Sequence, residues 1–310
     1  MKLRVFIEPQ QGASYSQQLK VAQKAEELGF DAFFRSDHYL RMGDGSPYPG
    51  PSDSWVTLGA IARETSTIRL GTLLTSATFR APGVLAISVA QVDEMSNGRI
   101  ELGLGAGWFE AEHRAYGIEF PDTSERFDRL KEQLEIITGL WKTKIGDGFS
   151  YDGKYYKLEN SPALPKPVSD PHPPIIIGGR GPKKTPALAG AFAQEYNVPF
   201  ASIEKCKEQF ELVSVAAESS GRSPSGIINS VALVACLGND SETLTRRASS
   251  IGRSIDDLTE NGLCGSAEQI VEKISRYQEI GAQRVYLQIL DLDDLDHLRD
   301  ISDGVKSQFS

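Results

Sequence analysis

A chain of 310 residues, 40% hydrophobic and 24% charged, has ample material for a core, and fits one large domain or two ordinary ones. Its net charge of −9 argues against nucleic acid or an anionic membrane surface as the main partner, and no apolar run approaches the roughly 18 residues of a membrane span. Three scattered cysteines, Cys206, Cys236 and Cys264, form no CxxC pair, which argues against a zinc site or a disulfide framework; with an apolar start too short for a signal peptide, they point to a reducing cytoplasm.

Leu3 to Glu8 reads as a first strand. Ser14 is placed to cap a helix in which Leu19, Ala22, Ala25 and Leu28 recur at helical spacing, and Gly29 closes it. Asp31 to Ser36 is a second strand that runs straight into Asp37-His38. A Gly/Pro-rich loop spans Arg41 to Pro51, and Asp53 caps a helix through Arg63. Ile68 to Thr75 is a third strand, Pro82 opens a helix to about Met95, and Asn97-Gly98 turns the chain into a fourth strand, Arg99 to Leu104. An insertion of about 106–173 follows. It holds a helix with Leu130, Leu134, Ile137 and Trp141 on one side, a hairpin around Tyr151 to Tyr155, and a Pro-rich run from Pro162 to Pro174.

Alternation resumes with a fifth strand, Ile175 to Gly179, and Pro182 starts the next helix. Glu195 to Phe200 is a sixth strand, Ile203 to Glu218 a helix, and Ile227 to Leu237 a seventh strand. Two helical stretches, Ser241–Glu260 and Ala267–Ile280, precede an eighth strand, Arg284 to Leu290, and a last helix. Eight strands alternating with helices predict parallel pairing through right-handed crossovers. The expected fold is α/β, a (β/α)8 TIM barrel with an insertion after strand four, filling 1–310 as a single domain. A doubly wound open sheet is the alternative.

Four candidate stretches fall at C-terminal strand ends, where such a barrel places its chemistry. They are Asp37-His38, Thr72 to Ser76, Gly103 to Trp108, and Gly178 to Gly181. On one rim they describe a pocket. Glycine lets backbone approach a ligand closely, so Gly178 to Gly181, between a strand and a helix start, is a natural phosphate cradle. A tight strand-to-helix turn is the plainer alternative. Gly103-x-Gly105-x-Gly107 is not the dinucleotide GxGxxG spacing, and close packing rivals a binding role there. His113 reaches the pocket mouth or sits on a helix surface. His172, in a Pro-rich loop, is expected to be solvated. His297 belongs to an acidic terminal helix whose run from Asp291 to Asp296 reads as a solvated helix start rather than a metal site.

Ser36-Asp37-His38, Gly71-Thr72-Leu73-Leu74, Gly103-x-Gly105-x-Gly107-Trp108 and Ile177-Gly178-Gly179 together resemble the luciferase-like flavin and deazaflavin oxidoreductases, over essentially the whole chain. The chain is more similar to the branch that uses the deazaflavin coenzyme F420, and Phe79-Arg80 is similar to a pair in the F420-dependent sugar-phosphate dehydrogenases. The resemblance implies that His38 is a base or hydrogen-bond partner at the substrate and that Asp37 is its neighbour at the cofactor, the two forming the catalytic pair. It implies a non-proline cis peptide at Leu73-Leu74 whose bulge supports the deazaflavin ring. It further implies cofactor contacts from Thr75, Ala106, Gly107, Trp108, Gly178, Gly179, Arg180 and Asn197.

The chain also departs from those dehydrogenases. Trp108 stands where they carry a catalytic glutamate, Met42 falls near their active-site tryptophan, and no Lys/Arg cluster for a sugar phosphate is evident. The work of that glutamate is expected to be lost, and glucose 6-phosphate is not the expected substrate. The implied protein is a cytoplasmic, homodimeric oxidoreductase that moves a hydride between F420 and a small organic substrate. An FMN-dependent monooxygenase and a non-catalytic deazaflavin- or flavin-binding protein are the alternatives. His38 is the residue expected to move the proton, because histidine titrates nearest neutrality.

Overall fold

Strands form where short apolar runs are cut by turn residues, and helices where apolar residues return every three or four positions. A computed structural model describes residues 1–43 and 48–309; residues 44–47 of the expected Arg41–Pro51 loop lie outside the described residues. In chain order the elements are β1 (Lys2–Ile7), α1 (Tyr15–Glu27), β2 (Ala32–Arg35), α2 (Ser54–Glu64), β3 (Arg69–Thr72), β4 (Thr75–Ser76), α3 (Pro82–Ser96), β5 (Ile100–Gly105), α4 (Glu110–Tyr116), α5 (Thr123–Lys142), β6 (Phe149–Asp152) and β7 (Lys157–Ser161). There follow β8 (Ile175–Gly178), α6 (Lys184–Phe192), β9 (Glu195–Pro199), α7 (Ile203–Ser219), β10 (Ile228–Leu237), α8 (Ser241–Ser250), α9 (Ile255–Asn261), β11 (Leu263–Gly265), α10 (Ala267–Glu279), β12 (Arg284–Ile289) and α11 (Leu295–Gly304). Ser14 and Asp53 cap α1 and α2 with their side chains, as expected.

Strands β1, β2, β3, β5, β8, β9, β10 and β12 pair in parallel in that order, and β12 returns to β1. The ring is the expected TIM barrel. Within the insertion, α5 buries Leu130, Leu134, Ile137 and Trp141 and packs between α3 and α6 in the outer layer, while β6 and β7 form the expected hairpin. Alternation along the strands sorts the core. Val5, Ile7, Leu70, Ile100 and Leu102 belong to the apolar layer under the helices, whereas Phe6, Phe34, Ile176, Ala232 and Tyr286 cluster inside the barrel.

The third strand is broken rather than continuous to Thr75. It stops at Thr72, passes a cis Leu73–Leu74 peptide, and resumes as β4 paired with β5. The bulge explains two glycines: a Cβ on Gly103 would collide with the Thr72 carbonyl and Leu74, and one on Gly105 would press on Leu74. Both glycines are therefore needed for close packing against the bulge, and Gly105 also lines the cavity described below. The expected Ser241–Glu260 helix is split into α8 and α9, because Gly252 turns at φ +65° and Ser254 caps a new helix; β11, pairing with β10, was not foreseen.

Three histidines are buried, although His172 is expected in solvent and a helix surface is one of the two places expected for His113. His172 packs its ring 5.6 Å from Trp141, and burial lowers its pKa. His113 is buried between Phe79 and Phe120. His297 accepts the Leu237 N–H at Nε2, 2.9 Å away, and burial, with Arg247 nearby, pushes its pKa down to about 4.

At the N-terminal ends of the strands the barrel interior is filled by charge. Arg4, fully buried, donates to both carboxylate oxygens of Glu101 at 2.7 and 3.0 Å and to the Tyr286 hydroxyl at 2.9 Å. Tyr286 in turn donates to Glu195 at 2.8 Å, which also pairs with Arg284, and Arg69 reaches Glu101 from the rim. Burial alone would raise the Glu101 carboxyl, yet Arg4, Arg69 and Arg284 hold it below its ordinary value.

Candidate active site

The opposite end of the barrel holds a cavity of about 620 Å³, a size suited to a small-molecule site. Three of the four candidate strand ends supply several wall residues, and the fourth supplies His38. Leu73, Leu74, Thr75, Ala106, Gly107, Trp108, Gly178, Gly179, Arg180 and Asn197 all line it, over a floor that includes Phe6 and Ala232.

His38 follows β2 and is 14% exposed at its side chain. Its Nδ1 lies 2.9 and 3.1 Å from the two oxygens of Glu112 on α4, a carboxylate only 1% exposed. One of those oxygens also accepts the Tyr39 N–H at 2.9 Å. An ionised carboxylate only accepts, so Nδ1 carries a hydrogen and the neutral ring keeps its lone pair on Nε2. Trp108, 64% exposed, meets the His38 ring edge-on at 5.8 Å and stacks on Phe109. Glu112, four residues beyond Trp108, is a wall carboxylate that the sequence reading missed.

Asp37, expected at the cofactor, is hydrogen-bonded to the wall residue Thr75. It is not among the wall residues. Fully buried, it accepts from Thr75 Oγ1 at 2.9 Å and from Arg80, whose guanidinium also binds Asp53 and the Tyr39 hydroxyl. The Asp37 carboxylate therefore braces the wall from behind, and Phe79-Arg80 contributes that arginine. Thr75 stays in the wall, its hydroxyl engaged with Asp37, Thr72 and Trp55.

Two further charged wall residues were unforeseen. Glu8, just past β1, has its carboxyl pushed up by burial against the opposing pull of His38. Arg126, on α5, is buried, donates to the Pro121 carbonyl and to Thr123, and lies over the Phe120 ring at 3.9 Å; its Nε has no hydrogen-bond partner. Arg180 supplies a second cation in the same wall.

The glycines divide by role. Gly107, at φ +80°, brings backbone so close to Ser76 that a Cβ would collide with its hydroxyl. Gly179, at φ +139°, faces Thr185. Its N–H, however, donates to the Asn197 carbonyl at 3.0 Å, so Gly179 contributes space rather than the expected N–H donor. The Asn197 side chain is held by Ser230 at 2.9 Å. Among the described residues no cluster of His, Cys, Asp and Glu is arranged to hold a metal.

The family model for luciferase-like monooxygenases matches residues 1–284. The F420-dependent glucose-6-phosphate dehydrogenase of Microbacterium testaceum is 40% identical over 175 residues, which are 56% of this chain and 49% of that protein. The F420-dependent hydroxymycolic acid dehydrogenase of Mycobacterium tuberculosis is 31% identical over 228 residues, 71% of this chain and 58% of that protein. The chain spans about half the length of the curated relatives it matches. Among solved structures, an F420-dependent secondary alcohol dehydrogenase in complex with an F420-acetone adduct superposes with a TM-score of 0.84 at 20% identity, covering 99% of this chain and 98% of that one. The oxygenating constituent of 3,6-diketocamphane monooxygenase from Pseudomonas putida, in complex with FMN, gives 0.77 at 22% identity and 99% of both chains. At such identities these two likenesses concern the fold.

Proposed function

The chain belongs to the luciferase-like monooxygenase family, and on that premise we propose that it is an F420-dependent oxidoreductase acting on a small alcohol or carbonyl compound. The observation that carries the reading is the Glu112–His38 pair at the wall of a cavity whose other residues fit a deazaflavin. Leu73 and Leu74 offer an apolar bulge for a ring, Gly107 opens space beside it, and Gly178 to Gly181 with Arg126 and Arg180 suit a phosphate tail. The unpartnered Nε of the buried Arg126 is the kind of orphaned donor an oxyanion would satisfy.

When bound, F420 supplies the hydride donor or acceptor. The chain's own residues manage the proton. Glu112 holds the His38 ring through Nδ1 and stabilises positive charge on it, so Nε2 can take a proton from a substrate hydroxyl or return one to a carbonyl oxygen. Glu8, its carboxyl raised by burial, holds a proton to higher pH than an ordinary glutamate and offers a hydrogen bond within the same cavity. Phe6, Leu73 and Leu74 keep the floor dry.

Fluorescence titration with F420 and with FMN tests the cofactor, and a panel of secondary alcohols and ketones read by deazaflavin absorbance tests turnover. The expected result is micromolar or tighter F420 binding, weaker FMN binding and a change of redox state with at least one substrate. Tight FMN binding without F420 binding overturns the reading in favour of a flavin enzyme; F420 binding without turnover leaves a binding protein. A homodimeric, cytoplasmic protein is part of the same proposal. The exposed apolar groove lined by Val84, Ile87 and Leu164 supports the dimer, and three free buried cysteines support the location. Light scattering giving a monomer at micromolar concentration would refute the dimer.

A further inference from the structure

Behind the cavity wall runs a chain of three side chains that the proposed proton chemistry leaves unused. Ser76 lines the cavity where Gly107 comes closest. Its Oγ lies 2.6 Å from Thr78 Oγ1, which lies 2.6 Å from His113 Nε2. His113 Nδ1 lies 2.8 Å from the Phe109 carbonyl oxygen, and the imidazole is buried against the rings of Phe79 and Phe120, with centroids 5.2 and 4.5 Å away.

With the His113 ring neutral, the far end of this chain fixes the sense of every hydrogen bond in it. A carbonyl oxygen only accepts, so His113 Nδ1 carries a hydrogen, and in the neutral ring Nε2 is then an acceptor. Thr78 must donate to Nε2. Thr78 is left with only lone pairs for Ser76, so the Ser76 hydroxyl donates to Thr78. The Thr78 N–H also points at Ser76 Oγ, at 3.4 Å. Ser76 therefore meets the cavity with a lone pair and no available hydrogen.

We propose that Ser76 is a specificity-determining acceptor: oriented by Thr78 and His113, it takes an N–H or O–H donor of the bound ligand and disfavours a bare oxyanion at that point. His113 is a positioning residue that acts through Thr78. The identification of the donor as the pyrimidine-ring N–H of a deazaflavin rests on the F420 reading. An oxyanion needs donors, and the wall offers them at Arg126 and Arg180 rather than at Ser76.

The test has two arms. ¹⁵N NMR of histidine-labelled protein, assigned with His113→Gln, is expected to show His113 neutral with its hydrogen on Nδ1 at neutral pH; a hydrogen on Nε2, or a protonated ring, overturns the proposal. The second arm compares 5-deazariboflavin with its ring-N-methylated derivative. Wild type is expected to bind the methylated ring at least tenfold more weakly, a difference of about 1.4 kcal/mol. Thr78→Val frees Ser76 to turn its hydrogen into the cavity and should shrink that discrimination to less than threefold, whereas Thr78→Ser should retain it. Equal binding of the two probes by wild type, or undiminished discrimination in a folded Thr78→Val variant, overturns the proposal. The tautomer is read on ligand-free protein, so a wrong tautomer refutes this inference alone. The expected tautomer with no binding of F420 or 5-deazariboflavin refutes the cofactor reading and, with it, the ring N–H as donor.

Discussion

Glu112 grips His38 as a fork, both of its oxygens within 3.1 Å of the same Nδ1, and the Tyr39 N–H keeps the fork from turning. Two elements distant in sequence, the end of β2 and helix α4, thus set which nitrogen of His38 faces the cavity with a lone pair.

Removing either partner should slow the chemistry without loosening the cofactor. His38→Ala is expected to lower kcat by about 10²–10⁴-fold, the usual worth of a general acid–base group. Its pH–rate profile should lose the limb that proton transfer through His38 produces. Glu112→Gln keeps the shape, but an amide can donate to Nδ1 and so no longer selects the tautomer; a loss of about 10²-fold or more is expected, by analogy with carboxylates that orient catalytic histidines. Steady-state kinetics with F420 titrations alongside decide it. Full activity of His38→Ala across the neutral range would make His38 a structural residue.

Arg126 separates phosphate recognition from ring recognition. Arg126→Met should weaken binding of F420 by tenfold or more, in keeping with about 1.5–3 kcal/mol for a hydrogen bond to a charged group. Affinity for 5-deazariboflavin, which has the ring and no phosphate, should stay within about twofold. Equal losses for both ligands would place the phosphate away from Arg126.

Gly179→Val puts a branched side chain against Thr185 in the cavity wall, at a φ of +139° that side chains rarely adopt. Cofactor affinity should fall at least tenfold, about 1.4 kcal/mol, while circular dichroism retains the barrel signature. Unchanged affinity in a folded variant would reduce this glycine to a turn residue.

His297 makes the fold sensitive to mild acid. Its folded pKa of about 4 lies below the ordinary histidine value of 6.5, so the unfolded chain takes up a proton first. The stabilisation is present in full above the unfolded value and is lost as pH falls towards 4, by an amount on the order of 3 kcal/mol. Urea unfolding measured across that window should show a declining midpoint in the wild type and a flatter trend in His297→Gln, whose amide oxygen can still accept the Leu237 N–H. Parallel slopes would assign the acid sensitivity to other groups.

The alternation of strands and helices was legible because most strands are short apolar runs set between helical patterns, five of them ending at or beside Gly or Pro, and His38 because it follows an apolar strand. What failed to show depends on tertiary partners. Asp37 looked available until Arg80, 43 residues away, claimed its carboxylate. Glu112 sits in the first turn of a short helix, where acidic residues usually face water; docking onto His38 is what buries it. Glu8 carried the same signal as Asp37-His38, a charged residue ending a strand, but was absorbed into the strand itself. Arg4 and Glu101 occupy inward positions of their strands, and their pairing spans 97 residues, beyond any local pattern.

The charge lattice of Arg4, Glu101, Tyr286 and Glu195 makes the barrel a cul-de-sac. With the N-terminal end filled, traffic to the cavity passes through the rim formed by the opposite strand ends. A ligand lying on the Phe6 and Leu74 floor must arrive before one that lies above it and leave after it. Two reactants sharing that doorway are expected to bind in a compulsory order, the deeper one leading, and an excess of the shallower one should delay exchange of the other. The kinetic sequence would then be written into the end of the barrel farthest from the chemistry.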